Sequence, residues 1–319
     1  MSGLHFLDKY DILNIENQLQ VLEFTHMKRI VALIMIIALN LALFGCGTDP
    51  SAAQIAATTL PVYEFTARLC QGSDIRVTRL VTESVSCLHD YTLQVNQMRT
   101  IENSQIVVIS GVGLEDFLAD ALTSANTVID ASTDIPLLCY KEHHDNDHTH
   151  EHSHEHDPHI WLSPANAKIM VSNIYKGLIV AYPEYTQIFS QNLSALESEI
   201  DKLDAYANKQ LKELSSREII TFHDGFSYMA DAFDLEIVHA IEEESGSEAS
   251  AAELIQLSKI VSAHQLNAIF TEQNGSSSAA EVIAAETGAS LFQLDMAMSG
   301  DSYFESMYRN IGTLKEALE

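Results

Sequence analysis

The chain has 319 residues, of which 46% are hydrophobic and 19% charged, and its formal net charge at pH 7 is −28. This length suggests about two domains, and the apolar content is that of a globular protein. So acidic a chain lacks the basic clusters that bind nucleic-acid phosphates, which argues against nucleic acid as a partner. An acidic surface attracts cations, although plain solubility would explain the same charge.

The first 45 residues do not have the pattern of a globular fold. Met27-Lys28-Arg29 opens an apolar run that is too short for a comfortable membrane span and ends at Cys46. A small residue and a cysteine after such a run resemble the leader of a bacterial lipoprotein, whose cysteine becomes the lipidated N-terminus. We therefore predict a leader over residues 1–45, with Met27 as a candidate true start, a lipid tether over 46–59, and an extracytoplasmic protein anchored to the cell membrane through lipid on Cys46. The alternative is a signal-anchor helix with an incidental cysteine.

Three further cysteines follow the leader: Cys70, Cys87 and Cys139. In an oxidising compartment one pair of them could form a disulfide and leave the third thiol free. Buried free thiols are an equally good interpretation, so the pairing stays open.

From Leu60 onward, strand patterns alternate with helix patterns. Residues 105–110 (QIVVIS) form a continuous apolar run, as in a strand buried on both faces, and a turn and a helix follow in 111–122. Such alternation predicts parallel β/α units and an N-terminal lobe over residues 60–183. Ser163-Pro164 has the signature of a helix start, with serine as the cap and proline in the first turn.

A connecting helix is predicted over residues 184–214, which are free of glycine and rich in regularly spaced leucine and isoleucine. Strand and helix patterns then resume and predict a C-terminal lobe over residues 215–319. The expected fold is α/β, with two β/α lobes containing parallel sheets and joined by one long rigid helix. In such sheets, ligands bind beyond the carboxyl ends of the strands, which here means the cleft between the lobes.

Three isolated histidines occupy positions that could face the cleft, beyond predicted strands or just before a predicted helix. His89 follows a strand-like run, His159 precedes the helix start at Ser163-Pro164, and His223 directly follows the strand-like run REIITF. Their wide separation excludes a zinc finger, whose ligands are a few residues apart. We interpret His239 and His264, by contrast, as surface or hydrogen-bonding residues.

The chain resembles the zinc and manganese substrate-binding lipoproteins of bacterial metal ABC transporters, and it is closest to the zinc-binding type. The resemblance runs from about Leu60 to the C-terminus and includes LHDYTL, SGVGLEDFL, DPHIWLSP after a His-rich insert, FHDGFSYMADAF and IFTEQ. It implies the two-lobe fold, a metal in the interlobe cleft, and His89, His159 and His223 as its ligands. It also implies a membrane permease as the partner, Zn²⁺ as the transported ligand, and a monomer.

The identity of the metal depends on the third position. Manganese members carry a carboxylate where this chain has His223, and an all-imidazole set suits zinc better than manganese. A tetrahedral zinc ion needs a fourth ligand. Glu272 is the first candidate and Asp295 a weaker one, while water or a histidine of the insert would serve equally.

Residues 141–157 form a His-rich, acidic insert without apolar periodicity, which predicts a loop. We predict that its histidines form redundant auxiliary metal sites that capture or sense zinc, of which any one could be lost with little effect. The alternative is a solvated tether without a metal role. The histidines concerned are His143, His144, His148, His150, His152, His154 and His156.

Two other functions remain open from the residues alone. Hydrolases and hydratases also coordinate zinc with three histidines and a water molecule, and Glu272 could act as the general base in such a site. No nucleophile elbow or HExxH motif is present, and we therefore predict that the protein is not an enzyme. The other alternative is a manganese-binding protein or cell adhesin of the same family.

Overall fold

In this computed structural model, the structure describes residues 55–83, 88, 91–123, 125–139, 156–240, 250–273 and 277–319. The predicted leader, the lipidation site Cys46, Cys87, His89 and residues 141–155 of the insert lie outside this part of the chain. Residues Ala53–Glu319 form one compact unit. None of the helices in the described residues is both long and apolar enough to cross a membrane.

The N-terminal lobe is built on a four-stranded parallel sheet with the order β2-β1-β3-β4. Its strands are β1 (Ile55–Ala57), β2 (Val77–Arg79), β3 (Ile106–Ile109) and β4 (Val128–Asp130). Its helices are α1 (Leu60–Leu69), α2 (Val95–Asn103), α3 (Ala119–Leu122) and α4 (Pro164–Ala181), with short 3₁₀ turns at Asp116–Leu118 and Ile160–Leu162. The parallel β/α pattern expected from the sequence is confirmed.

The turn after β3 departs from a simple helix start. Gly111, Val112 and Gly113 all have positive φ, of 90°, 56° and 78°, a conformation that glycine adopts freely and valine does not. A Cβ on Gly111 would lie 2.2 Å from the Asp130 carboxylate. The turn and helix predicted over residues 111–122 are therefore present as this turn, the 3₁₀ turn Asp116–Leu118 and the short α3.

The connecting helix is α5 (Thr186–Gln210), a helix of 25 residues preceded by a 3₁₀ turn at Pro183–Tyr185. At 1.5 Å per residue it is about 38 Å long, slightly shorter than expected from the sequence. Its buried residues include Phe189, Leu196, Ile200 and Leu203, so one face of the helix packs into the core.

The C-terminal lobe repeats the strand order of the first, with the order β6-β5-β7-β8 in a second parallel sheet. Its strands are β5 (Glu218–Thr221), β6 (Glu236–Ala240), β7 (Ala268–Glu272) and β8 (Ser290–Leu294). Its helices are α6 (Ser227–Ala232), α7 (Ala251–Ala263), α8 (Ser278–Thr287) and α9 (Tyr303–Leu318). In both sheets the connections change direction between the first and third strands, which is where α/β proteins bind ligands.

The two lobes share one hydrophobic core, which contains residues of both sheets and of α1, α4, α5 and α9. Buried hydrogen bonds also join the lobes. The Trp161 indole donates to the Met296 carbonyl at 2.7 Å, and the Tyr303 hydroxyl donates to the Trp161 carbonyl at 2.8 Å. The Tyr303 backbone amide donates to the Glu64 carboxylate at 2.6 Å. Because a lost buried partner costs about 1–3 kcal/mol, these bonds restrict motion between the lobes.

Candidate metal site

His159 is held rigidly at the start of the 3₁₀ turn Ile160–Leu162, where it is 2% exposed. Its Nδ1 lies 2.7 Å from Oδ1 of the buried Asp157, and its backbone amide donates to the same oxygen at 2.9 Å. A carboxylate at one ring nitrogen fixes the tautomer and orientation of an imidazole and increases its basicity as a ligand. Nε2 of His159 is therefore the nitrogen available to a metal.

The helix that follows His159 begins as the sequence predicted. The Ser163 side chain accepts a hydrogen bond from the Asn166 backbone amide, and Pro164 occupies the first turn of α4. Trp161 is fully buried and its ring centroid lies 5.4 Å from that of His159, at an interplanar angle of 70°. His159 is thus fixed by the cap of α4 on one side and by Asp157 on the other.

His223 follows β5 of the other lobe, as predicted, and its side chain is 20% exposed. Its Nδ1 lies 3.7 Å from Oε2 of Glu272, a buried residue at the end of the neighbouring strand β7. A Cβ on Gly225 would lie 2.6 Å from Cδ2 of His223, so glycine allows the backbone to approach the ring. The His223 ring is therefore farther from its carboxylate neighbour than the His159 ring is from Asp157.

The two histidines meet across the lobes, with ring centroids 5.3 Å apart and an interplanar angle of 81°. Two imidazoles on one tetrahedral zinc ion, with Zn–N bonds of about 2.0–2.1 Å, would place their ring centroids about 5.2 Å apart. The observed separation of the ring centroids therefore matches that of two ligands of a single ion.

His89, the third predicted ligand, lies outside the described residues, but Leu88 before it and Tyr91 after it are described. Leu88 is buried in the shared core, and its carbonyl accepts a hydrogen bond from the Tyr91 amide at 3.1 Å. The Tyr91 hydroxyl donates to Glu83 at 2.8 Å, and this bond holds the pKa of the Glu83 carboxyl below its usual range. Within the described parts of the chain, no three His, Cys, Asp or Glu side chains are grouped so that they could hold a metal.

The two candidates for a fourth ligand differ in their surroundings. Glu272 faces His223, as described above. Asp295 follows β8 and uses both carboxylate oxygens within its own lobe: Oδ1 accepts from the Ala297 amide at 2.8 Å, and Oδ2 accepts from the Ser306 hydroxyl at 2.7 Å. Arg309 lies 3.5 Å from Oδ2. Asp295 therefore shapes the segment that receives Trp161, and Glu272 is the better placed of the two.

A buried carboxylate also lies at the strand ends of the N-terminal lobe. Glu115 accepts hydrogen bonds from the Thr58 hydroxyl at 2.6 Å and from the amides of Ser110 and Gly111 at 2.7 and 3.0 Å. Burial raises its pKa to about 7 despite these donors, which act in the opposite direction. Glu115 ties the end of β1 to the turn with positive φ that follows β3.

The roles of Asp157, Trp161 and Gly225 were not predicted from the sequence. A carboxylate two residues before His159 was a signal that could have indicated the orienting role of Asp157. Trp161 acts through a hydrogen bond to a residue far along the chain, and Gly225 through its close approach to His223 in a local turn. Periodicity in the sequence shows neither contact. Of the histidines interpreted as structural, His264 lies 3.0 Å from the Glu218 carboxylate, in agreement with a hydrogen-bonding role.

Two parallel α/β lobes, a connecting helix and an imidazole from each lobe at the boundary between them define a two-lobed metal-binding protein. Residues 55–317 match the family model described as zinc-uptake complex component A, periplasmic (ZnuA). The match covers most of the chain, and the chain belongs to this family. It is a metal-binding receptor of a transport system and not an enzyme.

Curated relatives agree with this assignment. A putative metal-binding protein of Treponema pallidum is 28% identical over 257 residues, which cover 77% of this chain and 81% of that protein. The zinc-binding lipoprotein AdcA of Streptococcus pneumoniae is 27% identical over 307 residues, or 91% of this chain. The chain spans 61% of the length of that AdcA protein.

Solved structures show the same fold. A crystal structure of ZnuA has a TM-score of 0.72 at 26% identity and covers 83% of this chain and 99% of its own. The Zn(II)-bound ZnuA-like domain of S. pneumoniae AdcA has a TM-score of 0.70 at 26% identity, with 83% and 98% covered. The binding protein FpvC of Pseudomonas aeruginosa in complex with Ni²⁺ has a TM-score of 0.70 at 25% identity, with 84% and 97% covered. The two-lobe α/β fold expected from the sequence is confirmed.

Proposed function

We propose that this protein is an extracytoplasmic, high-affinity zinc receptor that delivers Zn²⁺ to the membrane permease of an ABC transporter. The observation that carries the proposal is the 5.3 Å separation of the His159 and His223 rings, which come from different lobes. His89 is the proposed third ligand and water the proposed fourth, with Glu272 as the carboxylate that faces His223. Lipid on Cys46 anchors the protein, and the His-rich insert captures metal for the cleft.

The chemistry of the two described ligands supports zinc over manganese. Imidazole nitrogen suits zinc, copper and nickel, whereas carboxylate, carbonyl and water oxygens suit manganese. The zinc-bound AdcA domain shares this fold, and so does FpvC, which was solved in complex with Ni²⁺ and also with Mn²⁺. Nickel and manganese are therefore the competing cargoes, and of these two the imidazole ligands favour nickel.

A competition titration of the full chain with Zn²⁺, Ni²⁺ and Mn²⁺ tests the proposal. We expect one tight zinc site, a weaker response to nickel and the weakest to manganese. His223→Ala should weaken zinc binding at this site by more than about 100-fold, since loss of a ligand costs at least as much as loss of an outer partner. His264→Ala, a change at an exposed histidine bonded to Glu218, is the matched control. An unchanged tight site in His223→Ala would contradict the ligand assignment.

Delivery to a permease needs a test in cells. Deletion of the gene should slow growth of the host bacterium when zinc is scarce, and the intact chain should restore growth while His223→Ala should not. Restoration of growth by His223→Ala would contradict a transport role for this site.

A further inference from the structure

The two ends of the His-rich insert are held together by a short antiparallel pairing. Cys139 and His156 form an isolated β-bridge, and the Asp157 amide donates to the Leu138 carbonyl at 3.0 Å. This hydrogen bond makes Cys139 and His156 a non-hydrogen-bonded pair, the type in which side chains of opposite residues lie closest. We call residues 138, 139, 156 and 157 the neck of the insert.

The neck brings together two side chains that bind metals. Sγ of Cys139 lies 3.4 Å from Nδ1 of His156. In a tetrahedral zinc site with Zn–S of about 2.3 Å and Zn–N of about 2.0–2.1 Å, a sulfur and a nitrogen ligand are about 3.5 Å apart. The pair therefore already has the spacing that a shared metal ion requires.

The neck is also anchored to the rest of the protein. The Leu138 amide donates to the hydroxyl of Tyr228, a residue of the other lobe, at 3.0 Å. Asp157, next to His156, is fully buried and orients His159. Cys139 is exposed and not in a disulfide, whereas the free thiol of Cys70 is buried and burial raises its pKa to about 12. Of these two cysteines, only Cys139 presents its sulfur to a metal ion arriving from solvent.

We propose that Cys139 and His156 form a second transition-metal site, distinct from the interlobe cleft, at the neck of the insert. Its ligand is a thiophilic or borderline ion such as Zn²⁺, with water completing the coordination. Because the described residues of the neck supply two ligands, we expect the site to bind metal more weakly than the cleft and to exchange it readily. Its place one residue from the carboxylate that orients His159 makes it a transfer point into the cleft. This proposal deepens the proposed function, in which the insert captures metal for the cleft, and its transfer role rests on that function.

The proposal separates His156 from the other histidines of the insert. A redundant collector would lose little with any single histidine. A neck site instead predicts that His156 and Cys139 matter individually, while a histidine such as His144 does not.

Cobalt titration of the full, reduced chain tests the neck directly, because a thiolate bound to Co²⁺ gives a charge-transfer band that imidazole and carboxylate ligands do not give. We expect no such band while the first equivalent fills the cleft, and a band as further Co²⁺ is added. Cys139→Ser should abolish the band, and His156→Ala should weaken the binding that produces it by about tenfold or more. Cys87→Ser and His144→Ala, each also reduced, are the matched controls and should leave the band unchanged.

Three results would overturn the proposal: no band in the wild-type chain, a band that survives Cys139→Ser, or a band that is insensitive to His156→Ala. Circular dichroism of each variant verifies that it is folded. His159→Ala distinguishes this proposal from the receptor function, since it should destroy the tight site and leave the thiolate band in place.

Discussion

The two histidines that meet at the lobe boundary are held in different ways. His159 is almost fully buried, and its Nδ1 lies 2.7 Å from the buried carboxylate of Asp157. The same carboxylate accepts a hydrogen bond from the His159 backbone amide. His223 is 20% exposed, its carboxylate partner is 3.7 Å away, and a glycine lies against its ring. The N-terminal lobe thus presents a buried ligand with a carboxylate at hydrogen-bond distance, and the C-terminal lobe presents a more exposed ligand whose carboxylate lies farther away.

This difference has a physical consequence for binding. A preorganised ligand loses little conformational entropy when the metal arrives, whereas a looser one must be ordered by the metal itself. Because a shared core and buried hydrogen bonds join the lobes, movement of a whole lobe to improve the site is costly. We therefore expect loss of the Asp157 carboxylate beside His159 to reduce zinc affinity more than loss of the Glu272 carboxylate beside His223.

Asp157→Asn should give the larger effect. The substitution keeps the size of the side chain but removes the charge that orients His159, and loss of such an outer partner costs about 10–100-fold in metal affinity. A zinc competition titration measures the change. Asp234→Asn, at an exposed aspartate of the other lobe, is the matched control, and an affinity equal to that of the wild-type chain in Asp157→Asn would show that the contact is not needed.

Glu272→Gln should give a smaller loss of zinc affinity, of about tenfold or less, because 3.7 Å from Nδ1 of His223 is longer than a hydrogen bond. The same titration measures it. If the loss were as large as for His223→Ala, Glu272 would have to bind the metal itself, as the fourth ligand. If it exceeded the loss for Asp157→Asn, the proposed difference between the two lobes would be wrong.

Glu115 extends the comparison to a third buried carboxylate, and its substitution should affect stability. Its pKa is raised to about 7 in the folded protein from 4.5, so the folded state binds more protons than the unfolded state between these values. The free energy of unfolding should therefore fall as the pH rises through this window. Glu115→Gln removes this titration. Urea unfolding of the metal-free chain at pH 5 and pH 8 measures this. From pH 5 to pH 8 the wild-type chain should lose free energy of unfolding relative to Glu115→Gln. A difference between the two chains that is the same at both pH values would contradict the raised pKa.

Much of this fold could be predicted from the sequence because its signals are local. The apolar run at residues 105–110 contains β3, Ser163-Pro164 begins α4, and the predicted connecting helix contains α5. The placement of His223 after a strand also followed from the pattern. The strand order within each sheet did not, because it depends on which strands pair.

The contacts that hold the site residues in place could not be predicted in the same way. Trp161 bonds to a carbonyl 135 residues away, and the close approach of Gly225 to His223 depends on a local turn that no periodicity reveals. The pairing of Cys139 with His156 closes the insert across 17 residues. Such contacts are decided by packing, which sequence patterns describe only in outline.

The central claim is that one zinc ion is bound by imidazoles of both lobes. Diffraction from crystals of the zinc-loaded protein, with anomalous data collected at the zinc edge, locates the ion directly. The account predicts the strongest peak at about 2.0–2.1 Å from Nε2 of His159 and from a ring nitrogen of His223. A tight zinc site that contacts neither histidine, or only one of them, would contradict it.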